Sequence, residues 1–261
     1  MSNAEVTVVQ DSFIAELILN NPPVNALNAE MVKELTASSA RINSLIQKRE
    51  VRVVLLRAEG KHFCAGADLK ERLSMDQSDV VPSVKRIRSA INEVWSLKVP
   101  VIAVIQGSAL GGGLELALAA DIRIVADNAR LGLKEVTIGI MPGAGGTQRL
   151  SRMVGIGRAL EWIMTGRDIT PEEGLQSGLV NAVVPEENLL EKAREMASVI
   201  AGNAPVGVQA AKKAVREGFD RNFEDALDVE WTEYLKTVPT QDRIEGLKAF
   251  SEKRSPKYKG Y

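Results

Sequence analysis

The stretch Val101–Ala120, VIAVIQGSALGGGLELALAA, sets a buried strand against a helix across a run of glycine. Val101–Ile105 is an unbroken apolar, mostly β-branched run, the pattern of a strand covered on both faces. Gly111-Gly112-Gly113 separates it from an apolar helix, Leu114–Ala120. Glycine at a helix start lets backbone approach a ligand closely and leaves N–H groups free to point at it. The helix dipole adds partial positive charge at the same place. Such a corner has the physics of an oxyanion hole, where preorganised donors stabilise a transition state that gathers negative charge.

The same alternation continues on either side. Glu5–Val9 and Phe13–Leu19 flank a polar Gln10-Asp11-Ser12 turn and predict a hairpin. Asn21-Pro22-Pro23 breaks the chain, and Asn28 can cap a helix bearing Val32, Leu35, Ile42, Leu45 and Ile46. Val51–Leu56 predicts a strand, Val81–Leu97 an amphipathic helix, and Ile122–Val125 and Leu179–Val184 further strands. Parallel strands need crossovers of this length, usually helical, so the class is α/β. Thr170-Pro171-Glu172-Glu173 predicts a helix start with a capping box. From about residue 186 the pattern is helical throughout. The reading is therefore an α/β core over residues 1–190 and a helical segment over 191–261.

With 33 basic against 34 acidic side chains in 261 residues, nothing favours nucleic acid as the main partner. The single cysteine, Cys64, cannot form an internal disulfide, which suits a reducing compartment. The lone His62 removes multi-histidine zinc sites. The longest uncharged stretch, Val99–Leu114, is broken by Pro100, Gln106 and four glycines and cannot span a membrane. No leader is evident, so the expectation is a cytoplasmic protein without membrane association.

Three glycine-rich stretches stand out: Gly60–Lys70, Gly107–Glu115 and Gly139–Gly146. None fits a phosphate loop or a full dinucleotide fingerprint. Glu115 falls in the first turn of the Gly111–Gly113 helix, either compensating the helix dipole or facing a pocket as an acid–base group. Glu135, taken alone, reads as a surface charge. If the two carboxylates shared an apolar pocket their pKa values would separate, which suits joint acid–base work on one water. His62 and Cys64 lack an orienting third group, so a Cys-His nucleophile is not expected.

Together these segments resemble the enoyl-CoA hydratase/isomerase (crotonase) superfamily. The resemblance rests on Asn21–Asn28 (NPPVNALN), Phe63–Lys70 (FCAGADLK), Ala109–Glu115 (ALGGGLE), Leu131–Gly146 (LGLKEVTIGIMPGAGG) with Thr147–Leu150, and the tail from Asp242 to Tyr258. It covers essentially the whole chain and is closest in appearance to the 3-methylglutaconyl-CoA hydratase branch. It implies a fold of stacked ββα units with a helical C-terminal trimerisation segment. It also implies hydration of a short-chain or branched enoyl-CoA, in fatty-acid metabolism or leucine degradation. Glu115 and Glu135 match the catalytic glutamates, Ala67 and Gly112 the oxyanion-hole amides, and Gly143 a water-positioning glycine. Ala65, Lys70, Phe250 and Lys253 match CoA-binding positions, the last two approaching from a neighbouring subunit of a trimer or hexamer. No metal or separate cofactor is implied, since coenzyme A is part of the substrate.

The alternative within the superfamily is a double-bond isomerase, which commonly keeps one glutamate; both are present here. A more distant alternative is RNA binding through a basic first helix. That helix carries Ala29, Lys33 and Ala37 with Glu30 and Glu34, so no basic stripe is expected. A distal substrate carboxylate would need a cation in the acyl pocket; Lys134 and Arg72 are near in sequence but read as surface residues.

Overall fold

The structure, a computed structural model, describes residues 5–261. β1 (Glu5–Asp11) and β2 (Ile14–Asn20) form the expected hairpin, in register from Glu5 opposite Asn20 to Asp11 opposite Ile14. α1 (Ala29–Gln47) follows, its Asn28 cap accepting the Met31 amide at 2.8 Å. Then come β3 (Val53–Ala58), the short α2 (Leu69–Leu73), α3 (Gln77–Trp95) and β4 (Val101–Ile105). β5 (Ser108–Leu110), α4 (Gly112–Ala117), β6 (Ile122–Ala126) and β7 (Arg130–Gly132) carry the chain to a 3-10 turn at Glu135–Ile138. α5 (Gly146–Val154), α6 (Ile156–Thr165), α7 (Pro171–Ser177) and β8 (Ala182–Val184) complete the α/β part.

The main sheet has the order β1-β2-β3-β4-β6-β8, parallel throughout except for the hairpin. Each central strand runs on into a second, smaller layer. β4 continues into β5 and β6 into β7, which pair in parallel, and the chain after β3 bridges to β5 through Cys64 opposite Ala109. Long strand, short strand and helix thus recur as the expected stacked ββα units. The small layer escaped the sequence reading because its strands are three residues long, too short to show a period.

Two helices differ from expectation for identifiable reasons. α4 begins at Gly112, not Leu114, and ends at Ala117, not Ala120. The buried Arg123 guanidinium ends it, taking the Ala120 carbonyl at 2.9 Å and the Ala117 carbonyl at 3.5 Å. α3 starts at Gln77, so Pro82 sits inside the helix instead of opening it. The capping box of α7 forms as read, with Thr170 Oγ1 accepting the Glu173 amide and the Glu173 carboxylate accepting the Thr170 amide.

The stretch 191–261 opens within α8 (Leu189–Ala201), which packs against β2, β3, β4 and β6. α9 (Pro205–Gly218), α10 (Phe223–Leu235) and α11 (Gln241–Ser251) follow, with α10 lying on α9. One apolar core joins the main sheet, α1, α3, α4 and α8, with Leu17, Leu55, Ile91, Ile102, Leu114 and Ile124 among its fully buried members.

Arg123 fixes α4 onto this core. Besides the Ala117 and Ala120 carbonyls it donates to Leu179 O at 2.6 Å and Asp121 O at 3.3 Å. Replacing it by Met leaves these buried carbonyls without their charged donor. Arg123→Met is expected to lose on the order of 3 kcal/mol of stability in urea unfolding, as unsatisfied buried groups cost this much.

Candidate active site

The three glycine-rich stretches meet at one cavity of about 220 Å³. Its wall includes Ala65, Gly66 and Ala67 from the first, Leu110–Gly112 and Glu115 from the second, and Ile140, Met141, Gly143 and Ala144 from the third. Glu135 lies on the same wall. The two-layer strand arrangement brings them together. Cys64 N donates to Ser108 O and Leu110 N to Cys64 O, each at 3.0 Å, laying residues 64–67 alongside the start of α4.

This approach is tight enough to exclude a methyl group. A Cβ on Gly113 would fall 2.0 Å from Cys64 O, and one on Gly66 2.7 Å from Leu110 O. The Ala67 amide nitrogen lies 3.6 Å from where a Gly112 Cβ would stand, so the two amides are neighbours. Gly112 is the first residue of α4 and its N–H has no intrahelical acceptor. Among the described residues the Ala67 N–H has no acceptor either. Two unpaired N–H donors side by side at a positive helix end can bind one developing oxyanion.

Glu115 is buried, 3% exposed, and its Oε1 accepts the Ala144 amide at 2.7 Å and the Gly146 amide at 2.8 Å. Burial pushes its carboxyl above the ordinary range, while the Gly146 and Ala144 amides and the Arg149 guanidinium pull the other way. Glu135 opens the 3-10 turn and brings Oε1 within 3.3 Å of where a Gly111 Cβ would sit. Its Oε2 is buried with no hydrogen-bond partner among the described residues. Burial raises Glu135 to about 7; its own backbone amide opposes this and the Glu115 charge reinforces it. Two carboxyl groups on one apolar wall, both shifted toward neutrality, can hold and exchange protons near physiological pH.

Lys134 and Arg72, expected at the surface, line the cavity. Lys134 caps the 3-10 turn and pairs with Asp168, which also binds Arg130 at 2.6 Å. Lys70 is exposed on α2, next to the cavity residue Leu69. Phe250, 85% exposed, sits in the last turn of α11 and Lys253 just past its end, and neither is part of the cavity wall of its own chain. Cys64 is fully buried, with its thiol pushed up to about 12 by burial, and His62 Nδ1 accepts the Ser108 amide. The pair does not form a nucleophilic site. Lys33 pairs with Glu30 on α1. Among the described residues no group of His, Cys, Asp and Glu is placed to hold a metal ion, and no helix is long and apolar enough to cross a membrane.

Sequence reasoning passed over the groups that hold these residues in place. Asn25 Nδ2 donates to Glu59 O at 2.9 Å and His62 O at 2.7 Å, tying the 21–28 loop to the 59–67 chain. The Ala144 and Gly146 amides were also missed as partners of Glu115. The third glycine stretch was the available signal, since a turn that exposes amides can receive a carboxylate.

The sequence profile described as enoyl-CoA hydratase/isomerase matches residues 10–261. Methylglutaconyl-CoA hydratase of Homo sapiens is 43% identical over 241 residues, 90% of this chain and 70% of that protein. Enoyl-CoA hydratase domain-containing protein 2 of Homo sapiens is 42% identical over 256 residues, covering 96% of this chain and 87% of that protein. The crystal structure of an enoyl-CoA hydratase from Bacillus anthracis superposes with a TM-score of 0.94 at 45% identity, covering 99% of this chain and 100% of that one. The two-layer ββα fold, the paired amides and these matches agree: the chain belongs to the enoyl-CoA hydratase/isomerase family of the crotonase superfamily.

Proposed function

We propose that this chain is a hydratase that adds water across the 2,3 double bond of a short or branched enoyl-CoA. The observation that carries the proposal is two carboxyl groups, Glu115 and Glu135, on the wall that also presents the Ala67 and Gly112 amides. The thioester oxygen accepts from these two N–H groups, which favour the enolate as negative charge moves onto it. One such donor is worth about 3 kcal/mol of transition-state stabilisation. Glu115, held by two amides, takes a proton from water as the oxygen bonds to C3. Glu135 gives its proton to C2, and the two carboxyls then exchange the remaining proton through water. Gly143, on the same wall, helps place the attacking water. The reaction needs no metal or redox group, and coenzyme A enters as part of the substrate.

The acyl group suited to this cavity is small, given a volume of about 220 Å³. Support for a 3-methylglutaconyl substrate comes from the 43% identity to a methylglutaconyl-CoA hydratase and from Lys134 and Arg72 on the wall, where a distal carboxylate would find cations. That substrate would place the enzyme in leucine degradation. Ala65 on the wall and the neighbouring Lys70 would meet the CoA moiety.

We further infer a homotrimer or a hexamer of paired trimers. Phe223, Trp231, Leu247 and Phe250 on α10 and α11 are each at least 60% exposed, more large apolar surface than an isolated helix pair should leave in water. A separate open groove of about 800 Å³ between α5, α8 and α9 is walled in part by Met153, Ile200, Val208 and Phe219. In such an assembly Phe250 and Lys253 would reach the CoA site of a neighbour.

Glu115→Gln and Glu135→Gln should each lower kcat for hydration by about 100-fold or more, the usual contribution of a positioned acid or base. Near-normal hydration in either variant would overturn the two-carboxyl mechanism, and loss of double-bond migration without any hydration activity in the parent would favour the isomerase. A comparison of kcat/KM for 3-methylglutaconyl-CoA and crotonyl-CoA should favour the former at least about tenfold, equal to 1.4 kcal/mol. A preference for crotonyl-CoA would make the enzyme a general short-chain hydratase of fatty-acid metabolism. Light scattering on the purified protein should give a trimeric or hexameric mass; a monomer would refute the shared CoA site.

A further inference from the structure

The Glu115 carboxylate is held by backbone, and that backbone is itself held from behind. Ala144 gives its N–H to Glu115 Oε1 and its carbonyl, on the other side of the peptide chain, to Arg149 Nη1 at 3.0 Å. Arg149 lies in the first turns of α5, and its Nη2 donates to Asn92 Oδ1 on α3 at 2.7 Å. Its guanidinium lies over the Trp95 ring, 4.8 Å from the centroid, and the Arg216 guanidinium lies over the same ring at 3.6 Å. Arg216 on α9 is in turn paired with Asp121 at 2.7 Å, and Asp121 accepts the Val101 amide at the start of β4. The loop around Arg149 has no spare room. Gly145 has φ +111°, and a Cβ there would fall 2.2 Å from Arg149 Nη1.

We propose that Arg149 is a positioning residue: it clamps the 144–146 loop to α3, so that the Ala144 and Gly146 amides stay aimed at Glu115. A planar fork suits this task, because one arm takes the loop carbonyl and the other the Asn92 side chain. The charged groups that interact with Glu115 are Glu135 from the 3-10 turn and Arg149 from α5, while Arg72 from α2 and Lys134 beside the 3-10 turn share its cavity wall. Those facing Arg149 are Glu115, Arg216 and Arg88. Removing Arg149 therefore acts on Glu115 twice, by loosening two amide donors and by deleting a guanidinium that favours its charged form. Both changes disfavour the carboxylate, so its titration moves upward.

The inference rests on Glu115 acting as the acid–base group of the proposed hydration. Its test is chosen to stand apart from that reading. The Glu115 carboxyl is titrated in the resting protein by carbon NMR on glutamate-labelled enzyme, with the resonance assigned from Glu115→Gln. In Arg149→Met the midpoint should rise by about one pH unit or more. In the same variant kcat should fall at least tenfold with KM changed less than threefold, and the acidic limb of the kcat profile should follow the carboxyl upward. Arg149→Lys keeps the cation but loses the fork, so its midpoint rises less than in Arg149→Met while kcat still falls.

An unmoved Glu115 midpoint in Arg149→Met overturns the proposal, whatever happens to its activity. If that variant does not fold, Arg149→Lys decides: parental kcat there overturns the clamp. Should the parent enzyme migrate double bonds instead of adding water, the hydratase reading fails while the NMR midpoint still tests the clamp.

Discussion

A backbone-on-backbone contact organises this molecule. The first turn of α4 lies so close to the chain at Cys64 that Gly113 has no space for a side chain, and Gly66 meets the Leu110 carbonyl in the same way. Only that approach sets the Ala67 and Gly112 amides side by side. Much of the surrounding chain serves to maintain it. Leu27 N donates to Gly66 O and Ala65 N to Val24 O, so the 21–28 loop braces the 64–67 segment from outside. Asn25 anchors that loop in turn, with φ +53°, a backbone conformation that asparagine tolerates better than most residues.

The two carboxyl groups are treated differently by their surroundings, and the difference matches a division of labour. Glu115 is the more buried, yet two amides and a nearby guanidinium favour its ionised form. Glu135 has one oxygen with no protein donor and sits at about 7, so it carries a proton for much of the time at neutral pH. An addition that removes a proton from water and delivers one to carbon needs such a pair. Unlike environments assign the proton to one carboxyl and the charge to the other, so the two steps need not compete for the same group.

Buried charge is placed where the helices around the site must be held. Arg123 terminates α4 by donating to the carbonyl of its last residue, Ala117, and to that of Ala120 in the turn that follows. Asp121, at the end of the same turn, gathers Lys212 and Arg216 from α9, and Lys212 also donates to the Leu97 and Val99 carbonyls. These pairs are charge-assisted and largely out of water, so each fixes direction more sharply than apolar packing alone. They connect α9 to the strand whose end opens into the layer that carries the candidate site.

The sequence by itself determined the class of fold, the strand and helix rhythm of the main sheet, and the family, because those are carried by local pattern and by motifs contiguous in the chain. Val101–Ile105, the Asn28 cap and the Thr170–Glu173 capping box are each settled by residues within a few positions of one another. The local sequence left Glu115 either compensating the helix dipole or facing a pocket, and the structure puts it on the cavity wall. Glu135 alone read as a surface charge, and Lys134 and Arg72, near the site in sequence, read as surface residues because local sequence does not set their direction. What placed all of them was the second layer, formed by three-residue strands whose pairing partners lie far apart in the chain. Such strands have no periodicity to read, and a carboxylate bound by the amides of a loop 29 and 31 residues away leaves no mark in its own neighbourhood. Burial, the partners of Glu115 and the Arg149 contacts behind them are properties of that long-range packing, which no local pattern records.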